Sequence, residues 1–145
     1  MITDDDKFRE EGDELTKEQL TNYLAVFAGG CLGGLARYGV GQWLSLHSLL
    51  ATLLVNWSGS FLLALLTYTA TTRLDLPNWL SLALGTGFVG TFTTFSTLMG
   101  STVPVMETSV ALFAFVYLAL SLIGGLLCAL MGMALGQRIG RRARP

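Results

Sequence analysis

Four long runs of apolar residues, interrupted mainly by small or hydroxyl-bearing side chains, organise the chain: Tyr23–Leu46, Leu49–Thr69, Trp79–Ser101 and Thr108–Leu135. A helix needs about 20 apolar residues to cross the hydrocarbon core of a bilayer. The pattern therefore predicts an all-α membrane protein with four transmembrane helices. Between the second and third runs, Thr71-Thr72-Arg73-Leu74-Asp75-Leu76-Pro77-Asn78 reads as a polar turn. Between the third and fourth, Ser101–Glu107 holds Pro104 and reads as another connection. The link around Ser45–Ser48 is so short that spans one and two form a tight hairpin. Trp43, Trp57 and Trp79 suit the aromatic belts of a membrane interface, with Trp57 the one that can sit deeper.

The third run is the unusual one. Residues 87–97, Gly87-Phe88-Val89-Gly90-Thr91-Phe92-Thr93-Thr94-Phe95-Ser96-Thr97, carry glycines and hydroxyls where a lipid-facing helix carries leucine and valine. No water is present in the bilayer core to satisfy a loose amide or carbonyl, so irregular backbone survives there only when buried in protein or lining a cavity. Glycine permits irregular dihedrals, and neighbouring hydroxyls can satisfy the freed groups. A span broken in this way aims carbonyl oxygens at a cation and helix-end amides at an anion. The expectation is a broken third helix with an ion site.

Charge sets the orientation. The 145 residues are 52% hydrophobic and 13% charged, against about 25% charged in a soluble domain. The net charge of −1 conceals an acidic end and a basic end. Asp4, Asp5, Asp6, Glu10, Glu11, Asp13, Glu14 and Glu18 fill residues 1–21, while Arg138, Arg141, Arg142 and Arg144 fill residues 138–145. The chain thus divides into an acidic tail (1–21), a four-span unit (22–137) and a basic tail (138–145). The first tail reads as a solvated or weakly helical extension, without the basic start and short apolar run of a signal peptide. An even number of spans puts both tails and the Arg73 loop on one side, and the opposite connections contain no Lys or Arg. The positive-inside rule then makes both termini cytoplasmic, in the cell membrane.

Little in the composition supports catalysis. His47 is the single histidine. Outside the acidic tail, Asp75 falls in a loop and Glu107 at a span entrance, so no carboxylate pair remains. Cys31 and Cys128 lack metal-ligand spacing and read as small packing residues. An enzyme is not expected.

Polar residues within the spans are more telling. Arg37 is the charged residue well inside one, at a cost of roughly 2.5–3.5 kcal/mol on insertion scales. It fits either snorkelling to the outer interface or attracting anions into a watery vestibule. Gly29/Gly33 and Gly30/Gly34 on span one, and Gly125/Ala129 and Gly132/Gly136 on span four, are small-xxx-small pairs suited to close helix crossing. Asn56 brings an amide with two N–H donors into span two, fit for a cross-helix bond or for an anion. Tyr117 and Ser121 stand four apart on one helical face, and Phe95 and Leu98 stand three apart.

Taken in order, Gly29-Gly30-x-x-Gly33-x-x-x-Arg37-Tyr38, Val55-Asn56-x-x-Gly59-x-Phe61 and Gly87-Phe88-x-Gly90-x-x-Thr93-Thr94-Phe95-Ser96-Thr97 make the chain resemble the Fluc/CrcB family of fluoride channels. Tyr117-x-x-x-Ser121 adds a weaker match, and the likeness runs from about residue 23 to residue 136. The resemblance implies an antiparallel dimer of four-helix subunits with two pores. It implies a structural Na⁺ between the subunits, held by backbone carbonyls of Gly90 and Thr93. Fluoride would pass Asn56, Thr94, Phe95, Tyr117 and Ser121, with Arg37 facing a vestibule. Fluoride and membrane lipid are the partners implied, and nucleic acid is not. Export would be passive, since a negative cell interior drives an anion outward by about 2.3 kcal/mol per 100 mV.

Two positions depart from that pattern. Leu98 stands where the family motif usually has a second phenylalanine, and Gly125 stands where a further hydroxyl is often found. The one-sided Lys/Arg distribution also fits poorly with one sequence inserting in both directions. These features favour a heterodimer with an oppositely oriented homologue, and leave a non-conducting partner subunit as the alternative. A small multidrug transporter shares the four-span antiparallel plan but needs an intramembrane acid. No Asp or Glu lies between Tyr23 and Thr69 or within the third span.

Overall fold

A computed structural model of the chain describes residues 4–44, 48–72, 76–107 and 111–142. Among them every regular element is helical: α1 (Asp4–Trp43), α2 (Ser48–Thr72), α3 (Asn78–Leu82), a π-helical segment (Ala83–Val89), α4 (Gly90–Phe92), α5 (Phe95–Glu107) and α6 (Ala111–Arg142). Four stretches are long and apolar enough to cross a membrane: Glu14–Trp43, Leu49–Ala70, Asn78–Thr102 and Leu112–Arg138. The four expected runs are all there.

Their ends differ from expectation in two places. Helix α1 continues without interruption from the acidic segment into the first span. Its 40 residues make a rod about 60 Å long, twice a bilayer core. Good helix formers such as Glu14, Leu15, Lys17, Glu18 and Gln19 carry it through. The second difference concerns Ser101–Glu107, expected as a connection but found as the last turns of α5. Pro104 lacks one N–H and so forfeits a single backbone bond, which does not end this helix. The short first link, His47, Arg73, Asp75 and Arg144 lie outside the described residues.

Packing joins the spans in two pairs. Helix α1 lies along the π segment and α4, and α2 lies along α6. A Cβ on Gly29 would meet the carbonyl of Ala83, and one on Gly33 the carbonyl of Phe88 and the hydroxyl of Thr91. A Cβ on Gly87 would reach the Val26 carbonyl at 2.7 Å. On the other side, Gly124 faces the Trp57 indole, Gly132 the Phe61 carbonyl and Gly136 the Tyr68 ring. In each pair the numbers rise together, so the first and third spans run parallel, as do the second and fourth. That is the arrangement four alternating spans require.

The small-residue pairs are thereby sorted. Gly29/Gly33 and Gly132/Gly136 make the close crossings, whereas nothing approaches a Cβ on Gly34 within 4 Å. Gly124, rather than Gly125, accommodates the Trp57 ring. Cys128 is half-buried, but Cys31 is exposed on α1 and packs no interior. Large apolar side chains on α1 (Leu24, Phe27, Leu35) and α6 (Phe113, Ile123, Leu127) are likewise exposed, as lipid-facing surfaces are.

Gly29→Ala should cost about 1–3 kcal/mol of overpacking, read as a lower thermal midpoint in detergent. Gly34→Ala should leave the midpoint unchanged or raise it, since alanine is the better helix former by about 1 kcal/mol. Equal effects from the two changes would contradict the packing described.

Candidate functional site

The third span loses its α-helical hydrogen bonding in steps. Over Ala83–Val89 the turns widen to π geometry, and the Gly90 N–H reaches back to the carbonyls of Gly85 and Gly87. A π turn inside a helix frequently marks a functional site. After the short α4, Thr93 swings to an extended conformation (φ −74°, ψ 155°), and α5 begins at Phe95. Two residues therefore carry the chain across a gap between helices.

The amide of Asn56 fills that gap. Its Nδ2 donates to the Thr94 carbonyl at 3.0 Å, and its Oδ1 accepts from the Thr94 N–H at 2.8 Å. One side chain on α2 thus replaces the helical acceptor that the Thr94 N–H has lost and adds a donor to the Thr94 carbonyl. The Thr94 hydroxyl then caps α5, accepting from the Thr97 N–H at 3.2 Å and donating to the Thr97 hydroxyl at 3.0 Å. That is ordinary N-cap chemistry at the first turn of a helix. The Thr93 hydroxyl and N–H both turn back to the Val89 carbonyl, each at 3.0 Å.

These bonds redirect two donors. In a continuous helix the Gly90 carbonyl would accept from the Thr94 N–H, and the Thr93 carbonyl from the Thr97 N–H. Here the first donor goes to Asn56 and the second to the Thr94 hydroxyl. Both carbonyls lose the partner that helix geometry would supply.

The gap opens on a cleft of about 550 Å³ between α2, the third span and α6. Asn56, Gly90, Thr93, Thr94, Phe95 and Ser121 all line it, with Leu98 and Gly125 beside them. Six of the eight residues singled out from sequence thus meet in one place. Phe95 and Leu98 both border the cleft but differ sharply in exposure: Phe95 is 72% exposed and Leu98 only 4%. Both face one cleft, as their spacing leads one to expect, and the difference in exposure reflects Phe95 standing at the start of α5. Ser121 is 7% exposed, and its carbonyl accepts from the Trp57 indole N–H at 3.3 Å. Trp57 is therefore an interhelical clamp inside the fold and not an interface marker.

The other two residues lie elsewhere. Tyr117 does not line the cleft; its hydroxyl donates to the Leu49 carbonyl at 3.3 Å, near the start of α2. Arg37 is exposed on α1, away from the cleft. Among the described residues no group of three or more His, Cys, Asp or Glu could hold a metal ion. The oxygen donors at the gap are carbonyls and hydroxyls, which suit a hard alkali cation and not a transition metal. Sequence reasoning missed Thr97 as part of the cap and Ser60 as a cleft residue. The Ser/Thr spacing after the gap could have revealed the first, and its position four residues after Asn56 the second.

The family model described as CrcB-like protein, Camphor Resistance (CrcB), matches residues 24–133, which span the cleft, the gap and the glycine crossings. The chain belongs to the CrcB family. It is 46% identical over 119 residues to "Fluoride-specific ion channel FluC 2" of Geobacillus kaustophilus (strain HTA426), a match covering 79% of this chain and 92% of that protein. Over 128 residues it is 45% identical to "Fluoride-specific ion channel FluC 2" of Ligilactobacillus salivarius (strain UCC118), covering 88% and 95% respectively. The corresponding "Fluoride-specific ion channel FluC 2" of Bacillus subtilis (strain 168) is 44% identical over 118 residues, covering 81% and 88%. With four apolar helices and relatives named as ion channels, this CrcB-family chain is a multi-pass membrane protein.

Asn56→Ala would leave the Thr94 N–H unmet, at about 1–3 kcal/mol, and would take one donor from its carbonyl. Thr94→Ala would remove the cap, at about 1 kcal/mol. Thermal midpoints in detergent should fall for both, more for Asn56→Ala. An unchanged midpoint for Asn56→Ala would contradict the bridging role.

Proposed function

We propose that this chain is a subunit of a fluoride-selective channel that lets cytoplasmic fluoride leave the cell passively. The supporting observation is the Asn56–Thr94 bridge at the gap in the third span, opening on a cleft lined by neutral donors. Its relatives' names point to the same ion. Fluoride is small and strongly hydrated, so a pore must offer donors in exchange for its water. A fixed cation in the path would bind it too tightly for conduction. Amide and hydroxyl donors from Asn56 and Ser121 avoid that trap, Thr94 would hold the Asn56 amide in place on the path, and the positive edge of an aromatic ring such as Phe95 adds a weaker attraction. Asn56 gives one N–H to Thr94 and keeps a second for the ion. Tyr117 would act at the entrance near Leu49, and Arg37 would attract anions toward a vestibule from its exposed position on α1.

The same reading makes the third span a broken membrane helix and gives the gap a structural role. The carbonyls of Gly90 and Thr93, with their helical donors redirected, are hard oxygen ligands suited to Na⁺. Two oxygens from each of two antiparallel copies would make a four-oxygen set on the axis between them. When bound, Na⁺ supplies a positive charge that locks the two gaps together; this chain contributes the carbonyls. Phe95, exposed in the subunit, would then meet the second copy.

A heterodimer is favoured by the Lys/Arg bias toward one side of the chain. Leu98, packed into the fold at 4% exposure, leaves this subunit's own wall aliphatic and supports one weaker pore, or a partner subunit that does not conduct. Both termini would face the cytoplasm.

The deciding measurement is fluoride efflux from liposomes holding the purified chain, with chloride as control. Fluoride-selective efflux from the chain alone supports the channel and overturns obligate pairing with a homologue, as would isolation of an antiparallel homodimer. Efflux that appears only with an oppositely oriented homologue makes this chain half of a heterodimer. Silence in both settings overturns the conducting reading. In a conducting preparation, Leu98→Phe should raise the fluoride rate by restoring a ring to the wall; an unchanged rate would show that the missing ring does not limit flux.

A further inference from the structure

The cleft contains a hydroxyl that the ion path described above does not use. Ser60 lies on α2 one turn beyond Asn56 and lines the same cleft. Several hydroxyls elsewhere in the spans turn back onto their own helix. Ser58 donates to the Leu54 carbonyl at 2.6 Å, Thr69 to that of Leu65 at 2.7 Å, and Thr102 to that of Leu98 at 2.7 Å. Ser60 makes no such bond among the described residues, nor does the hydroxyl of Ser121. No fully buried side-chain oxygen or nitrogen among the described residues lacks a partner, so both hydroxyls reach open space.

Ser60 also stands opposite Gly125, where α6 brings no side chain to the cleft. Gly125 is one turn beyond Ser121, as Ser60 is one turn beyond Asn56. A Cβ on Gly125 would lie 3.5 Å from the Ser60 Oγ and 4.0 Å from Trp57 Cδ1. The indole bond from Trp57 to the Ser121 carbonyl holds α2 and α6 in this register. The missing hydroxyl on α6 is therefore faced by a free one on α2.

The geometry points to Ser60 as a donor of the ion path, continuing the line of Asn56 and Ser121 by one helical turn. This rests on the fluoride-channel reading. A fluoride ion that has given up water at Asn56 and Ser121 needs a further donor within about 5 Å, one helical pitch. The Ser60 hydroxyl supplies one donor and no charge. Its position assigns that task to α2, which makes the glycine at 125 compatible with conduction.

The test uses the full chain in liposomes, under whichever subunit composition conducts. Ser60→Ala should slow fluoride efflux about ten-fold, as expected for loss of one hydrogen bond to an ion, with chloride still excluded. Its thermal midpoint should match the wild type, because the hydroxyl has no protein partner to lose. Gly125→Ser added to Ser60→Ala should restore most of the rate by returning a hydroxyl from the opposite wall. Wild-type efflux in Ser60→Ala would overturn the assignment while leaving the channel reading intact. Slow efflux with a lowered midpoint and no rescue would make Ser60 a packing residue, and would also overturn it. A wild-type chain silent with and without an oppositely oriented homologue would overturn the channel reading, and this assignment with it.

Discussion

An amide or carbonyl left loose in hydrocarbon costs several kcal/mol, and the gap between α4 and α5 exists because Asn56 meets that demand. Its carboxamide presents one acceptor and one donor in the spacing of a peptide group, and the Thr94 N–H donates to the first while the Thr94 carbonyl accepts from the second. The cap that Thr94 places on α5 depends on the same bridge, since it fixes the residue whose hydroxyl receives the Thr97 N–H. The bridge keeps the Thr94 N–H from the Gly90 carbonyl, and the cap keeps the Thr97 N–H from that of Thr93.

Glycine makes this arrangement reachable by bringing helices close enough for side chains to act across them. On one side, Gly29 and Gly33 let α1 lie against the backbone of the π segment. There the Thr91 hydroxyl sits 2.9 Å from the Gly30 carbonyl of α1 and 2.9 Å from the Gly87 carbonyl of its own span. On the other side, Gly124, Gly132 and Gly136 draw α6 against α2. The third span meets α2 across Gly59, where a Cβ would strike the Thr93 methyl. The cleft is what remains between these contacts. Its walls are set by backbone approach, and its polarity comes from the few side chains that are not turned back on their own helices.

Neutral hydroxyl and amide groups line the cleft, and Arg37, exposed on α1, lies outside it. Leu98 and Gly125 first read as gaps in a lining. With Ser60 facing Gly125, one of those gaps has a counterpart on the opposite wall. Leu98 is packed into the fold, with the exposed Phe95 beside it on the same cleft.

The sequence alone determined the four spans, their order and the irregularity of the third, because hydropathy and glycine content are local properties that each segment carries by itself. Six of the eight candidate residues line one cleft, since their motifs lie on the faces that meet. The sequence did not determine which glycines make contact, and Gly29 could not be told from Gly30, nor Gly124 from Gly125, by spacing. It did not reveal that Asn56 binds backbone, that Trp57 clamps α6, that Tyr117 leaves the cleft for Leu49, or that Ser60 and Ser58 differ in use. Each of these depends on the rotation and register of one helix against another. A turn of 100° per residue changes the partner entirely while leaving the apolar pattern untouched, so those choices belonged to the tertiary structure.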